Sequence, residues 1–294
     1  MRFSILSVLF LLLVSACSEQ TSELDNYPNS HLLTSAQELN ELIQQNNIFL
    51  IDAREEINGE VIPGATHFPA VSSLIDQENP VEFYLTGPEA FQELMQDLGL
   101  NNDDRVVLYD DGNALAAARL FYALDYYGFS NASVLNGGFE GWLSEELPTE
   151  NEPVTHEVGN FAFDVQELKS CDFDYVMAAS GSDDKIIFDA RSADEYSGVD
   201  ERAEKNGRIP NAVNLEWNKV LEQEGVPYFQ SAQDIQDQYS ALGITPDKEV
   251  IPHCHTNVRG SHAYFTLRLM GYDSVRPYEG SWSEYGNRDE AIVE

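Results

Sequence analysis

A loose internal repeat constrains this chain of 294 residues more than any other feature. Each copy contains a short apolar run that ends in Asp-Ala-Arg, at 52–54 and at 189–191. A second apolar run and a segment with helical apolar spacing follow, at 105–109 and 116–126 in the first copy and at 249–253 and 261–270 in the second. Short apolar runs that alternate with helical segments are typical of buried parallel strands. The repeat therefore predicts an α/β fold of two tandem domains, each a parallel sheet flanked by helices on both faces.

The boundary between the two predicted domains lies in an acidic segment. Residues 145–159 contain two prolines and lack apolar periodicity. Each domain has a helix-start signal near its beginning, SAQE at 35–38 and DVQE at 164–167. The predicted division is an N-terminal domain at 31–150, a linker at 151–161 and a C-terminal domain at 162–294.

The first residues have the pattern of a bacterial export signal. Arg2 precedes an apolar run that is shorter than a transmembrane helix, and the run ends in Val-Ser-Ala before Cys17. This ending resembles the lipobox of bacterial lipoproteins, which implies a signal peptide at 1–16 and a lipid on Cys17; an ordinary secretory signal and an uncleaved anchor are the alternatives. Residues 17–30 are polar and acidic, and they predict a flexible tether. Ser18 is typical of outer-membrane sorting, so we expect a lipid-anchored, periplasm-facing protein of the cell envelope, on the outer rather than the inner membrane.

The net charge excludes several classes of partner. The chain has 16 Lys and Arg against 51 Asp and Glu, a formal charge of −35. Such a chain repels nucleic-acid phosphates and anionic lipid. We therefore expect no nucleic-acid partner and no membrane contact beyond the lipid anchor. Any anionic substrate must be held by a few locally placed cations.

Nucleophilic chemistry is predicted in the loop that follows the last apolar run. A strand is expected to end at His253, Cys254 opens the loop and a helix follows. Side chains at the carboxyl edge of a parallel sheet face the ligand crevice of open α/β folds. Loop amides and a helix N-terminus form an anion-binding nest that lowers the pKa of a cysteine. Arg259 adds a fixed cation, so Cys254 is predicted to be a catalytic nucleophile.

Four motifs, in order, resemble those of the two-domain rhodanese, or thiosulfate and 3-mercaptopyruvate sulfurtransferase, family. They are Asp-Ala-Arg at 189–191, GRIPNAVN at 207–214, the loop from Cys254 to Arg259 and YEGSWSE at 278–284. The resemblance implies that Cys254 attacks a sulfane sulfur, becomes a persulfide and passes the sulfur to cyanide or a thiol. The active-site loop then comprises Cys254, His255, Thr256, Asn257, Val258 and Arg259.

The N-terminal copy lacks the cysteine that this chemistry requires. Asp110 stands at the corresponding place. A carboxylate cannot accept a sulfane sulfur and would repel an anionic donor, so this domain is predicted to be non-catalytic. The resemblance implies a monomer that acts on a small anionic sulfur donor, without a cofactor or a metal.

Three arginines are predicted to bind the donor, namely Arg191, Arg208 and Arg259. For Arg191 the alternative is an ion pair with Asp189 or Glu195 that fixes the end of the strand. For Arg208 it is a bridge to the acidic insertion at 194–204. Asp189 and Trp282 are predicted to have structural roles beside the site.

The loop also bears on which donor is used. Four residues separate Cys254 from Arg259, one fewer than in the protein tyrosine phosphatases, which favours a persulfide over a phosphoryl group. The loop resembles that of bacterial thiosulfate enzymes more than that of mercaptopyruvate enzymes, so thiosulfate is the predicted donor. A 3-mercaptopyruvate sulfurtransferase and a non-catalytic sulfur-carrier or binding module are the alternatives. Glu195 stands where some thiosulfate enzymes carry a second donor-binding arginine, which favours weak donor affinity or a different donor.

Overall fold

The structure is a computed structural model that describes residues 23–294. The predicted signal peptide at 1–16 and the predicted lipidation site at Cys17 lie outside these residues. Within 23–294, no helix combines the length and the apolar character that are needed to cross a bilayer.

The N-terminal domain is a parallel sheet of five strands in the order β1-β5-β4-β2-β3. The strands are β1 at Leu33–Thr34, β2 at Phe49–Asp52, β3 at Ala65–His67, β4 at Val106–Tyr109 and β5 at Ala132–Leu135. The helices are α1 at Ala36–Gln44, α2 at Ala70–Ser73, α3 at Pro88–Leu98, α4 at Leu115–Tyr126 and α5 at Gly138–Ser144. Every residue of β2, β4 and β5 is buried, as expected for a sheet that is covered on both faces.

The C-terminal domain repeats this arrangement around three strands in the order β7-β6-β8. The strands are β6 at Lys185–Asp189, β7 at Val213–Asn214 and β8 at Glu249–His253. The helices are α6 at Phe173–Ala179, α7 at Ala193–Ser197, α8 at Ala232–Ala241, α9 at Val258–Leu269 and α10 at Ser281–Tyr285. The α/β fold and the two parallel sheets confirm the fold class predicted from the repeat.

The segment at 274–278, which the repeat predicts to be a strand, pairs only in part. Val275 forms a parallel bridge with Val250 of β8, and Tyr278 forms one with Cys171. Pro252 and Pro277 have no N–H to donate, which interrupts a continuous ladder at this place. The two bridges nevertheless put the segment where β5 lies in the N-terminal sheet.

Two local predictions are corrected by the structure. The helix expected from DVQE at 164–167 is only a 3-10 turn at Glu167–Lys169, and the first helix of the C-terminal domain begins at Phe173, where Asp172 caps it through the Tyr175 amide. The backbone amide of Asp164 donates to Tyr127 of the N-terminal domain over 2.9 Å. The start of the predicted second domain therefore packs on the first, and Asp172 supplies the cap.

The end of the predicted flexible tether is ordered. Residues 23–26 form a 3-10 turn, and Tyr27 is only 4% exposed. The side-chain amide of Asn29 donates to the carbonyl of Arg268 over 2.7 Å, and its backbone amide donates to Leu269 over 3.0 Å. The last carbonyls of a helix have no hydrogen-bond partner within the helix. Asn29 supplies partners for two such carbonyls of α9, and this holds the end of the predicted tether on the helix. The tether prediction is thus wrong for 23–30.

The two domains share one continuous apolar core, which is centred on the contact between α4 and α9. Phe121 of α4 meets Phe265 of α9 edge to face, with 5.0 Å between the ring centres. Tyr122 and Tyr264 meet in the same way at 5.3 Å. These helices follow β4 and β8, so their contact fixes the carboxyl edges of the two sheets relative to each other. We therefore expect the two domains to unfold together.

A buried histidine in this core makes stability depend on pH. His262 lies between Trp217 and Phe229, whose ring centres are 5.0 Å and 5.4 Å away, and burial lowers its pKa to about 3. The unfolded chain takes up a proton below about 6.5 and the folded chain does not. The contribution of His262 to the free energy of unfolding is therefore fully present above that pH, and it decreases as the pH falls towards 3.

We expect this single group to cost about 2 kcal/mol between pH 7 and pH 5. Urea unfolding at the two pH values measures the loss, and His262→Phe is expected to reduce it while keeping an aromatic ring between Trp217 and Phe229. An unchanged pH dependence in the variant would rule out His262 as the source. His253, whose pKa burial also lowers, accounts for a remaining slope of the same sign.

Candidate active site

Cys254 lies at the carboxyl end of β8, in the loop before α9, as the sequence predicts. Its side chain is fully buried. Its backbone amide donates to Ser281 Oγ over 3.3 Å, and its carbonyl accepts from the Trp282 amide over 3.0 Å. The start of α10 thus fixes the backbone of the nucleophile from the opposite side of the loop.

The loop enters α9 through Asn257, which has a left-handed backbone with φ of 58°. Asparagine tolerates this conformation better than most residues do. The turn leads into a twelve-residue helix that begins four residues after Cys254. A helix N-terminus carries partial positive charge and stabilises a thiolate or a bound anion.

Arg259 reaches the nucleophile but is held by a carboxylate. Its guanidinium interacts with the Cys254 thiol, and it donates to Glu195 through Nη1 over 2.6 Å and through Nη2 over 2.8 Å. Burial favours the neutral acid, yet the hydrogen bonds and the charge of Arg259 lower the pKa of Glu195 to about 2. Both groups are therefore charged, and the cation that was predicted to bind the donor is largely neutralised by Glu195.

Glu195 takes this position because it belongs to a capping box. Its backbone amide donates to Ser192 Oγ over 3.2 Å, and its carboxylate accepts from the Ser192 amide at the start of α7. The carboxylate is thus oriented before Arg259 binds it. From the sequence we expected a negative charge near the donor at this position, and the structure adds that the charge acts through Arg259.

Arg191 forms the ion pair with Asp189 that was the alternative to donor binding, and its contact with the donor stays a prediction. The side chain is 1% exposed, and its Nε and Nη2 donate to both carboxylate oxygens of Asp189 over 2.6–3.1 Å. Nη2 also donates to the carbonyl of Gly207, and the guanidinium lies 4.2 Å from the centre of the Trp282 ring. Arg191 is thus an internal brace at the end of β6 that contacts both Asp189 and Trp282, and the structural roles of those two residues stay predictions.

Arg208 is attached to the last residue of the chain. Its backbone exchanges two hydrogen bonds with Glu294, and its guanidinium lies 3.6 Å from the Glu294 carboxylate and 5.0 Å from the Tyr196 ring. The alternative of a bridge to the insertion at 194–204 holds only for the Tyr196 contact. Binding of the donor by Arg208 stays a prediction.

Two histidines flank Cys254, and burial lowers the pKa of both. His253 is fully buried, with Nε2 at 3.7 Å from Asp189, and His255 is half-buried. They are therefore neutral at pH 7, and each can accept or donate one hydrogen bond without adding charge. Within the described part of the chain, no three His, Cys, Asp or Glu side chains are placed to share a metal ion.

The N-terminal domain contributes residues that sequence reasoning missed. Arg119 of α4 forms a buried ion pair with Glu279, with 2.7 Å between Nη2 and Oε1, and the side-chain amide of Asn257 donates to the same carboxylate over 2.6 Å. A lone arginine within the apolar sequence of α4 was the available signal, because such a charge must find a buried partner.

The corresponding loop of the N-terminal domain holds an anion of its own. The Asp110 carboxylate accepts from four backbone amides over 2.9–3.3 Å, those of Gly112, Ala114, Ala116 and Ala117. Burial nevertheless raises its pKa to about 6. The loop therefore binds its own side chain in the position of an anionic ligand. That the N-terminal domain is non-catalytic stays a prediction. A cysteine has no such carboxylate, so the amides of the loop at 255–259 can donate to a bound anion.

Comparisons with known proteins match both halves of the chain. The model of the rhodanese-like domain matches residues 35–145 and 172–288. A thiosulfate sulfurtransferase of Azotobacter vinelandii is 31% identical over 274 residues, which cover 92% of this chain and 100% of that protein. The sulfur carrier protein TtuD of Thermus thermophilus is 29% identical, with coverage of 89% and 95%.

A solved structure with a similar fold is that of the anaerobic ergothioneine biosynthesis enzyme from Chlorobium limicola in complex with trimethyl histidine. It superimposes with a TM-score of 0.81 and 25% identity, over 91% of this chain and 71% of that one. Because the match extends over 91% of this chain, the similarity in fold includes both domains.

Proposed function

This chain belongs to the family of proteins built from rhodanese-like domains, and from that premise we propose that it is a sulfurtransferase that carries sulfane sulfur on Cys254. The observation that carries the proposal is the position of Cys254 between the N-terminus of α9 and the guanidinium of Arg259. A helix N-terminus and a guanidinium can each stabilise a neighbouring negative charge, and the thiolate is the nucleophilic form of a cysteine. The N-terminal loop offers no competing nucleophile, since Asp110 fills it.

Thiosulfate is the proposed donor. The Cys254 thiolate attacks the outer sulfur, the sulfur–sulfur bond of thiosulfate breaks, and sulfite leaves with the bonding electron pair. A cyanide ion or a thiolate then attacks the terminal sulfur of the Cys254 persulfide. Thiocyanate or a new persulfide forms, and the Cys254 thiolate is restored. Loop amides hold the negative charge of the donor and of the persulfide throughout.

The mass of the intact protein tests this proposal. After incubation with thiosulfate and removal of small molecules, we expect one added sulfur, about 32 Da, that cyanide removes. Cys254→Ser is expected to show no gain. Cys171→Ala is the matched control. Cys171 is also a buried thiol, and in the described structure its Sγ donates one hydrogen bond, to the carbonyl of Arg276. A gain of sulfur in Cys254→Ser, or none in the wild type with thiosulfate or 3-mercaptopyruvate, would contradict the proposal.

A sulfur carrier that receives its sulfur from another protein is the second candidate. The Glu195–Arg259 pair favours it, since a neutralised arginine attracts a small dianion weakly. The similarity to a protein named as a sulfur carrier supports it as well. Steady-state turnover of thiosulfate and cyanide separates the two candidates: a carrier would accept sulfur on Cys254 from a protein persulfide but turn over thiosulfate negligibly.

We also propose that the protein is anchored by a lipid on Cys17 and faces the periplasm. The lipobox-like residues before Cys17 and the acidic residues after it support this location. Metabolic labelling with a fatty acid tests it, and Cys17→Ser is expected to lose the label and to leave the membrane fraction. Label retained by Cys17→Ser would contradict the anchor.

A further inference from the structure

Arg119 lies in the N-terminal domain, yet three of its four described side-chain hydrogen bonds go to residues of the C-terminal domain. The residue is 1% exposed in the middle of α4. Nη2 donates to Glu279 Oε1 over 2.7 Å and to the Phe83 carbonyl over 3.0 Å. Nη1 donates to Glu279 Oε2 and to Ser261 Oγ, each over 3.3 Å. Three of these four hydrogen bonds cross the interface between the domains, and the fourth, to Phe83, stays within the N-terminal domain.

Glu279 is the centre of this cluster. Besides Arg119, its carboxylate accepts from the Asn257 side chain over 2.6 Å and from the Leu85 backbone amide over 2.9 Å. It is 4% exposed, so its charge depends on these donors rather than on water. Glu279 therefore joins a helix and a loop of the N-terminal domain to the cysteine loop of the C-terminal domain.

Asn257 transmits this contact to the nucleophile. It is the third residue after Cys254 and holds the left-handed turn through which the loop enters α9. Its side chain is bound by Glu279, and its carbonyl accepts from Ser261 Oγ over 2.7 Å, the same hydroxyl that Arg119 contacts. Both sides of the turn are thus held by partners of Arg119, and the turn sets the direction of the amides and the helix end that face Cys254.

The charge of Arg119 also acts on Cys254 directly. An electrostatic interaction between Cys254 and Arg119 favours the charged form of the guanidinium. Without Arg119, the buried Glu279 carboxylate would be left uncompensated next to the loop and would oppose the negative charge on sulfur. The pair is therefore placed to control both the shape of the loop and the charge of the thiol.

We propose, on the basis of the function proposed above, that Arg119 is a positioning residue for Cys254: the non-catalytic domain sets the reactivity of the thiol through Glu279 and Asn257. The N-terminal domain then contributes to the active site of the C-terminal domain, although it has no nucleophile of its own. Asp110 and its loop make none of these described contacts, because Arg119 lies about one helical turn beyond the start of α4 and bonds to Ser261 of α9.

Other charged and titratable groups around Cys254 must stay constant in a test. They are His253 and His255 in the loop, Asp189 and Arg191 after β6, Glu195 and Arg202 beside Arg259, and Glu82 near His255. None of them bonds to Arg119 in the described residues, so substitutions at Arg119 and Glu279 change the charge of this cluster alone.

The test compares Arg119→Met with the wild type in the full chain. The readout is the pH dependence of Cys254 alkylation by iodoacetamide, which follows the thiolate fraction whether or not thiosulfate is the donor. We expect the midpoint to rise by about one pH unit, equivalent to about tenfold less thiolate, with a similar fall in kcat/KM. Arg119→Lys keeps the charge, and its midpoint is expected to stay near that of the wild type.

We expect the opposite shift of the alkylation midpoint for Glu279→Gln. This variant also tests the proposal if Arg119→Met does not fold. An unpaired Arg119 next to the loop favours the thiolate, so the alkylation midpoint is expected to fall. Loss of packing alone would not give shifts of opposite sign in the two variants. Tyr264→Phe is the matched control, because it removes a buried hydrogen bond to Asp125 across the same α4–α9 contact without touching the cluster.

The proposal is overturned if folded Arg119→Met keeps the wild-type midpoint, if Glu279→Gln fails to lower it, or if Tyr264→Phe shifts it as far as Arg119→Met does. Wild-type protein that alkylates normally but takes up no sulfur would instead contradict the proposed function and leave the alkylation result to be judged by itself.

Discussion

Replacing Arg259 by methionine is expected to lower kcat/KM for thiosulfate about 100-fold, the loss typical of removing one group that stabilises an anion in a buried site. The variant removes the cation that interacts with the Cys254 thiol. It also leaves Glu195, which is 2% exposed, without its principal partner. Steady-state kinetics and urea unfolding measure the two effects separately.

The cost in stability is expected to be about 3 kcal/mol, the low end of the range for breaking a buried ion pair. Arg202 moderates it, because its Nε lies 3.6 Å from Glu195 and can approach the freed carboxylate. The contribution of Glu195 is full above about pH 4.5 and is lost as the pH falls towards 2, since the folded state holds the pKa of this carboxyl at about 2. The difference between wild type and Arg259→Met is therefore expected to shrink in acid.

Glu195→Gln is the matched variant. Glutamine can keep the capping interaction with Ser192 and one hydrogen bond to Arg259, but it removes the charge that neutralises the arginine. We expect kcat/KM for thiosulfate to rise about fivefold, which corresponds to a barrier lower by roughly 1 kcal/mol. The double variant is expected to recover stability but not activity. A drop in thiosulfate turnover in Glu195→Gln would mean that Glu195 acts by holding Arg259 in place rather than by cancelling its charge.

The repeat was sufficient to predict most of the fold and the position of the nucleophile. Asp-Ala-Arg after an apolar run fixed the ends of β2 and β6, and the residues around Cys254 predicted a strand, a loop and a helix in the observed order. Such features are local, because hydrophobic periodicity and helix signals act within a few residues. At 164–167 the local helix-start signal predicted a helix, but packing on the other domain leaves only a short 3-10 turn at Glu167–Lys169.

The partners of the arginines could not be predicted in the same way. Glu195 and Arg259 are 64 positions apart, and Arg119 and Glu279 are 160 apart. In a chain with 51 acidic residues, the sequence gives no reason to choose these two carboxylates from the others. Only the folded arrangement selects them, so the sequence could name the arginines near the site but not the carboxylates that bind them.

The strand ends of the two domains carry the same brace and allow a test in which each domain controls for the other. Arg54 binds Asp52 over 2.6 Å and lies 4.2 Å from the Phe139 ring, as Arg191 does with Asp189 and Trp282. Asp52→Asn and Asp189→Asn each leave a buried guanidinium with a neutral partner. We expect each to cost about 3–5 kcal/mol in urea unfolding.

Only one of these two substitutions is expected to lower kcat/KM of the folded protein. Asp189 lies 3.7 Å from Nε2 of His253, the residue before the nucleophile, whereas Asp52 accepts from the Tyr109 hydroxyl over 2.8 Å, before a loop that holds Asp110. We therefore expect kcat/KM of the folded protein to fall about tenfold or more in Asp189→Asn and to stay near the wild-type value in Asp52→Asn. Equal kinetic losses would mean that the braces act through overall stability. Because the two domains share one core, an effect confined to Asp189→Asn would instead place the strand-end carboxylate in the machinery that orients Cys254.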